Sequence, residues 1–62
     1  MLNYTKIAKL VSMDTPVTAD RYDQIFAIKN HLKAEGLELF VTDRETIDDI
    51  LDILYDEYGF DA

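Results

Sequence analysis

Carboxylates dominate the second half of this chain. Residues 35–62 carry ten of them and a single base, Arg44. Three of these acids, Asp48, Asp52 and Asp56, recur at every fourth residue, with Asp49 beside them. Side chains four residues apart lie one above another on one face of a helix, with a rise of about 6 Å per step. A helix here would therefore display a straight row of negative charge, like that of a nucleic-acid backbone.

The acid row permits three interpretations. It can be an ordinary solvated face, a docking face for a basic protein, or a site for a hard cation. Parallel side chains at i, i+4 and i+8 do not converge on one ion without a partner segment. We therefore predict that the chain holds no metal and no other cofactor, and the first two interpretations both stay open.

Aromatic side chains stand next to these acids near the C-terminus. Tyr55 lies toward the edge of the apolar helix face, whereas Tyr58 and Phe60 suit core positions or the helix end. Exposed aromatic residues among charged ones are frequent anchors of protein interfaces. Core filling explains Tyr55 equally well. If the face binds a partner, we expect the binding residues to be Asp48, Asp49, Asp52, Asp56, Glu57 and Tyr55.

Catalytic chemistry has few candidates in this sequence. There is no cysteine, no glycine-rich phosphate loop and no evident pair of acid and base groups. His31, the single histidine, is expected near the exposed end of a helix, without a nucleophile beside it. We predict that the protein is not an enzyme.

Composition indicates the compartment. Without cysteine the core must come from packed aliphatic and aromatic side chains, which is typical of a reducing, cytoplasmic setting. The N-terminal residues lack the basic and apolar regions of a signal peptide, and no apolar run is long enough to span a membrane. We expect a cytoplasmic protein with no membrane partner.

The uneven charge distribution narrows the class of partner. Residues 1–34 have a net charge of +2 and residues 35–62 of −9, which gives −7 for the chain. The acidic half would repel DNA, RNA and anionic lipid. A helix-turn-helix in the first half is disfavoured for the same reason. We expect no direct nucleic-acid binding, and a basic protein surface as partner.

Hydrophobic periodicity and capping residues predict a mainly α fold, a compact three-helix domain formed by residues 1–62. Asn3 or Thr5 can cap the first helix, and Asp14-Thr15-Pro16 ends it. Thr18 is the expected cap of the second helix, and Gly36 its left-handed stop. The expected buried side of this second helix comprises Tyr22, Ile25, Phe26, Ile28 and Leu32.

The third helix is predicted from Thr46 to Tyr58. Thr42 or Asp43 can cap it, Glu45 can complete a capping box, and Gly59 ends it. Its apolar face should consist of Ile47, Ile50, Leu51, Leu54 and Tyr58, at the spacing of one helix face.

Residues 37–41 alternate in polarity and predict one short extended or β segment. A strand needs a partner. The candidates are the N-terminus around Met1–Asn3 and the Pro16–Val17 stretch, and without either the segment would be only an extended connector.

Several of these segments together resemble region 1.1, the N-terminal autoinhibitory domain of bacterial primary sigma factors. The matching segments are Leu2-Asn3-Tyr4-Thr5-Lys6-Ile7-Ala8, the break from Asp14 to Thr18, the helix Asp20–Leu32 and Gly36-Leu37-Glu38-Leu39. The resemblance covers about two thirds of the chain, residues 2–43. It implies an acidic, mostly helical module that occupies the positively charged DNA channel of RNA polymerase and keeps DNA out.

The chain departs from that family in two ways. The family places another amphipathic helix before the Leu-Thr-Tyr-type segment, and here the chain begins at that segment. We expect the helix after Thr46 to take its place in the core, with Ile50, Leu51 and Leu54 against the first two helices. No promoter-reading sigma domains follow in this sequence. We therefore interpret the chain as a free-standing protein, and a phage origin is one explanation.

Three functional hypotheses follow. The leading one is a small acidic inhibitor that docks in a basic nucleic-acid-binding groove, most specifically that of RNA polymerase, and so regulates transcription. The second is an interaction or homo-oligomer module that meets its partner through apolar faces, with an affinity insensitive to salt. The third is a DNA mimic that inhibits a restriction or CRISPR nuclease. The expected state is a monomer or a weak homo-oligomer.

Overall fold

The computed structural model describes residues 3–61 of the chain. Three α-helices and one short 3₁₀ helix follow each other in these residues: α1 (Tyr4–Asp14), α2 (Arg21–Ala34), η1 (Glu38–Phe40) and α3 (Arg44–Tyr58). Each α-helix packs against the other two. The predicted mainly α, three-helix domain is confirmed.

Helix α1 begins at its predicted cap. The Asn3 side chain accepts a hydrogen bond from the Lys6 amide at 3.0 Å, so Asn3, not Thr5, is the N-cap. Ile7, Ala8 and Val11 are buried. The helix ends at Asp14, before Pro16, as the sequence predicts.

The predicted N-cap of α2 is wrong. Thr18 lies in a turn, in which the Ala19 amide donates to the Pro16 carbonyl at 3.0 Å. Asp20 caps the helix instead, and its carboxylate accepts from the Asp23 amide at 2.8 Å. Because of this turn, the helix begins at Arg21, and its N-cap lies two residues after the predicted Thr18. Gly36, with a φ of 75°, is the predicted left-handed residue after the helix.

The predicted extended or β segment at residues 37–41 is also wrong, because these residues form η1 and its flanks. The Leu37 amide donates to the Leu32 carbonyl at 2.8 Å, and the Phe40 amide donates to the Leu37 carbonyl at 3.0 Å. These local bonds satisfy backbone groups that a strand would have had to pair elsewhere. Met1 and Leu2, part of one proposed strand partner, lie outside the described residues.

Helix α3 begins at Arg44, two residues before the predicted Thr46. Asp43 is its N-cap and accepts from the Glu45 amide at 3.1 Å and from the Thr46 hydroxyl at 3.0 Å. A capping box would need Glu45 at the third helical position. Thr46 occupies that position, so the two bonds to Asp43 replace the predicted capping box. Gly59 ends the helix with a φ of 71°, as predicted.

The core lies where the three helices meet. Helix α3 contributes four apolar side chains to it, Ile47, Ile50, Leu51 and Leu54, and packs against both α1 and α2. The prediction that the third helix completes the core is confirmed. Tyr58 is half-buried at the helix end, and Phe60 folds back into the core, where it is only 5% exposed.

Helix α2 turns a different face to the core from the one predicted. Ile28 and Leu32 are buried as expected, but Tyr22 is 86% exposed and Phe26 is 66% exposed. The third buried position is Gln24, which is 1% exposed. Its amide group donates to the carbonyls of Ala19 at 2.8 Å and Asp61 at 2.9 Å. These bonds pair the amide group of Gln24 on the side of the helix that Ile28 and Leu32 also bury, and the aromatic side lies in solvent.

Candidate protein-binding surface on helix α3

The predicted acids of α3 form one exposed surface. Successive residues turn about 100° around a helix axis, so Asp48, Asp52, Asp56 and Asp49 occupy a single face. All four are exposed, and Ile47, Ile50, Leu51 and Leu54 lie buried on the other side. Because the helix begins at Arg44, Glu45 joins the same face. We call Glu45, Asp48, Asp49, Asp52 and Asp56 the acidic face.

Glu57 lies apart from the acidic face. It is exposed, as a binding residue must be. One residue after Asp56, however, it points about 100° further around the helix, toward the side on which Ile50 is buried. The structure therefore brings together four of the five predicted acids, adds Glu45, and places Glu57 on a separate flank.

Tyr55 marks the edge of the acidic face and is tied to helix α2. Its side chain is half-buried, and its hydroxyl accepts a hydrogen bond of 3.4 Å from the Arg21 guanidinium. The other terminal nitrogen of Arg21 lies 3.8 Å from the Asp48 carboxylate. Both side chains of this ion pair are more than half exposed, so its contribution to stability is below about 1 kcal/mol. Arg21 thus orients Tyr55 and Asp48 at one border of the face.

Four acids of the acidic face have no basic neighbour in the described part of the chain. Among residues 3–61, no lysine, arginine or histidine nitrogen lies within 4.0 Å of the carboxylates of Glu45, Asp49, Asp52 or Asp56. Like charges one helical turn apart destabilise a helix by a few tenths of a kcal/mol per pair, about 0.2–0.5. Core packing on the opposite side of α3 holds the row together despite this repulsion.

Other site chemistry is sparse in residues 3–61. No three histidine, aspartate or glutamate side chains there are grouped so that they could hold a metal ion. The His31 imidazole lies 2.9 Å from the Asp14 carboxylate, and this contact links α2 to the end of α1. None of the helices in this range has the length and the apolar content needed to cross a membrane.

Sequence reasoning missed a second exposed surface, on α2. Tyr22 and Phe26 stand one turn apart on its solvent side, whereas the predicted aromatic cluster at the C-terminus is mostly built into the fold. A signal was present in the sequence. Helix α2 carries two overlapping apolar stripes, Tyr22, Ile25 and Phe26 on one and Ile25, Ile28 and Leu32 on the other, and a three-helix core can bury only one of them.

Comparisons with protein-family models, with curated proteins and with solved structures found no match to this chain. The resemblance to sigma factor region 1.1 stays a prediction.

Proposed function

We propose that this protein is a small acidic binding protein that docks its acidic face in the basic, nucleic-acid-binding groove of another protein and so keeps nucleic acid out. The observation that carries the proposal is the unneutralised row of α3. Five exposed carboxylates share a face, and four of them have no base within 4.0 Å in residues 3–61. The resemblance to region 1.1 favours the DNA channel of bacterial RNA polymerase as the groove.

Electrostatics explains how such a face would act. A concentrated negative field steers a basic surface toward it and raises the rate of association, and salt weakens this attraction. The backbone of α3 is already held by its buried side, so binding orders only the carboxylate side chains. This limits the entropic cost of association.

The test is binding to core RNA polymerase at low and at high salt. The triple variant Asp48→Asn, Asp52→Asn and Asp56→Asn should lose at least tenfold in affinity at low salt, about 1.4 kcal/mol. The control variant Asp23→Asn, Glu38→Gln and Asp61→Asn removes the same charge from exposed positions off the acidic face and should bind nearly as well as the parent chain.

Two results would count against this proposal. The first is unchanged affinity in the triple variant while circular dichroism shows it folded. The second is an equal loss in both variants, which would mean that net charge and not the row matters. If polymerase does not bind but a restriction or CRISPR nuclease does, with the same dependence on the row, the target is the nuclease and the charge mechanism is retained.

A second candidate function is a protein-interaction or homo-oligomer module that uses apolar contacts. The exposure of Tyr22 and Phe26 favours it, since neighbouring aromatic side chains in solvent are typical of interfaces. Its affinity would be insensitive to salt. Sedimentation equilibrium across protein concentration tests the homo-oligomer, and truncation of Phe26 to alanine would weaken any association that uses this face.

A further inference from the structure

A shallow groove separates helix α2 from the start of helix α3. Its volume is about 230 Å³. Ile25, Val41 and Ile47 supply its apolar wall, and Ile47 connects it directly to the core. The side chains of Thr42 and Asp48 also reach it. The groove is partly open to solvent, so a ligand that fills it can extend beyond it.

Bases are concentrated at this groove. Arg21, Lys29 and Arg44 line it, and they are half of the six lysine and arginine residues of a chain whose net charge is −7. Asp48 is its one carboxylate and lies beside Arg21 at 3.8 Å. In residues 3–61, Lys29 and Arg44 have no carboxylate within 4.0 Å. The groove therefore offers two unpaired cations beside an apolar wall.

The exposed aromatic residues of α2 extend this surface. Ile25 and Lys29 line the groove, and Tyr22 and Phe26 follow further around α2, within about 100° of Ile25. Phe26 itself lines a second depression, with Pro16, Asn30 and His31. We call Tyr22 and Phe26 the aromatic ridge. The groove and the ridge together combine apolar area, large aromatic side chains and positive charge, which are properties of binding surfaces for peptides.

We propose that the groove and the aromatic ridge bind an acidic amphipathic segment of another protein. An apolar side chain of that segment would pack on Ile25, Val41 and Ile47, and its carboxylates would pair with Lys29 and Arg44. Charge complementarity decides the partner's chemistry, because the groove carries three bases, two of them unpaired, and one carboxylate.

Competing ligand classes fit less well. A small molecule would find less room than the roughly 300–1,000 Å³ of a typical small-molecule pocket, and the open side would leave it in water. A nucleic-acid backbone carries a charge at every phosphate and has no apolar side chain to cover Ile25, Val41 and Ile47. This surface is separate from the unpaired carboxylates of α3, so the proposal goes beyond the function proposed above.

Selection of a random-peptide phage library on the whole chain tests the proposal. We expect enrichment of peptides in which apolar residues alternate with aspartate or glutamate. A selected peptide, made synthetically, should shift the amide NMR signals of residues 21–29 and 41–48. The double variant Lys29→Gln and Arg44→Gln should bind it roughly tenfold more weakly, and Phe26→Ala should also weaken it.

A matched control comes from helix α1. Lys6→Gln with Lys9→Gln removes the same charge from exposed positions away from the groove and should leave peptide affinity unchanged. Enrichment of only neutral or basic peptides, no enrichment at all, or equal binding by both double variants would overturn the proposal. Self-association that depends on Phe26 and Lys29 would overturn it too, because the occupant would then be a second copy.

Discussion

At the residue scale, Gln24 is the buried polar position of α2 that the sequence pattern did not predict. It is a polar residue at the centre of the α2 core side, and its amide joins the turn before α2 to the C-terminal segment. The Asp61 amide also donates to the Val17 carbonyl at 3.2 Å, which closes the same junction. These bonds hold the segment that carries Phe60 into the core.

The first prediction concerns this junction. Gln24→Ala removes two hydrogen bonds at a buried position and should lower the free energy of unfolding by about 1–3 kcal/mol. Urea denaturation measures the loss, and the Asp61 amide should also exchange its hydrogen faster. Asn30→Ala, at an exposed position of the same helix, is the control and should change stability by less than about 0.5 kcal/mol. Equal effects of the two substitutions would contradict the role given to Gln24.

At the scale of elements, each of two helices has two different sides. Helix α3 buries an apolar side and exposes the acidic face. Because the apolar side is packed in the core, the orientation of the acidic face is fixed. Helix α2 buries Ile28 and Leu32 and exposes the aromatic ridge. In both helices the exposed side adds little to stability and is free to bind a partner.

The second prediction separates the two sides of α2. Phe26→Ala should change the free energy of unfolding by less than about 0.5 kcal/mol, because the ring is mostly in solvent. Ile28→Ala should cost about 2–5 kcal/mol, because it opens a cavity in the core. Thermal and urea denaturation of both variants measure this contrast. If Phe26→Ala proved the more damaging change, the sequence-based choice of the buried face would be right after all.

At the scale of the whole molecule, charge repulsion opposes folding. The net charge of −7 is concentrated in the second half, and the described residues contain only two ion pairs of a lysine or arginine with a carboxylate, Lys6–Glu35 and Arg21–Asp48, each with a base that is more than half exposed. Self-repulsion of this kind destabilises a compact state and is screened by salt. The same carboxylates that would attract a basic partner therefore weaken the free protein.

The third prediction follows from that balance. Raising the salt concentration from low to physiological and above should raise the Tm. If screening of the repulsion raises the free energy of unfolding by about 1 kcal/mol, the Tm of a domain of this size should rise by about 4–8 °C. The triple variant Asp48→Asn, Asp52→Asn and Asp56→Asn should begin with a higher Tm and respond less to salt. Scanning calorimetry checks both effects, and a Tm that falls with salt would contradict this account.

Sequence patterns predicted the elements better than their orientations. The three helices, the break before Pro16 and the glycine stops at Gly36 and Gly59 all follow from local chemistry, which depends on neighbouring residues alone. The apolar and acidic sides of α3 were predictable because its pattern contains a single clear stripe. The 3₁₀ helix η1 was not, because residues 37–41 are compatible with two local structures and their neighbours decide between them.

The sequence by itself determined that an acidic row would stand on the outside of α3, because the spacing of Ile47, Ile50, Leu51 and Leu54 allows only one buried side. Only the tertiary structure decided which side of α2 is buried. The buried side is set by packing against α1 and α3 and includes the bond from Gln24 to the Asp61 carbonyl, 37 residues along the chain. No local pattern contains a contact of that range. The packing of the three helices left Tyr22 and Phe26 in solvent. It also brought Arg21, Lys29 and Arg44 together at one groove.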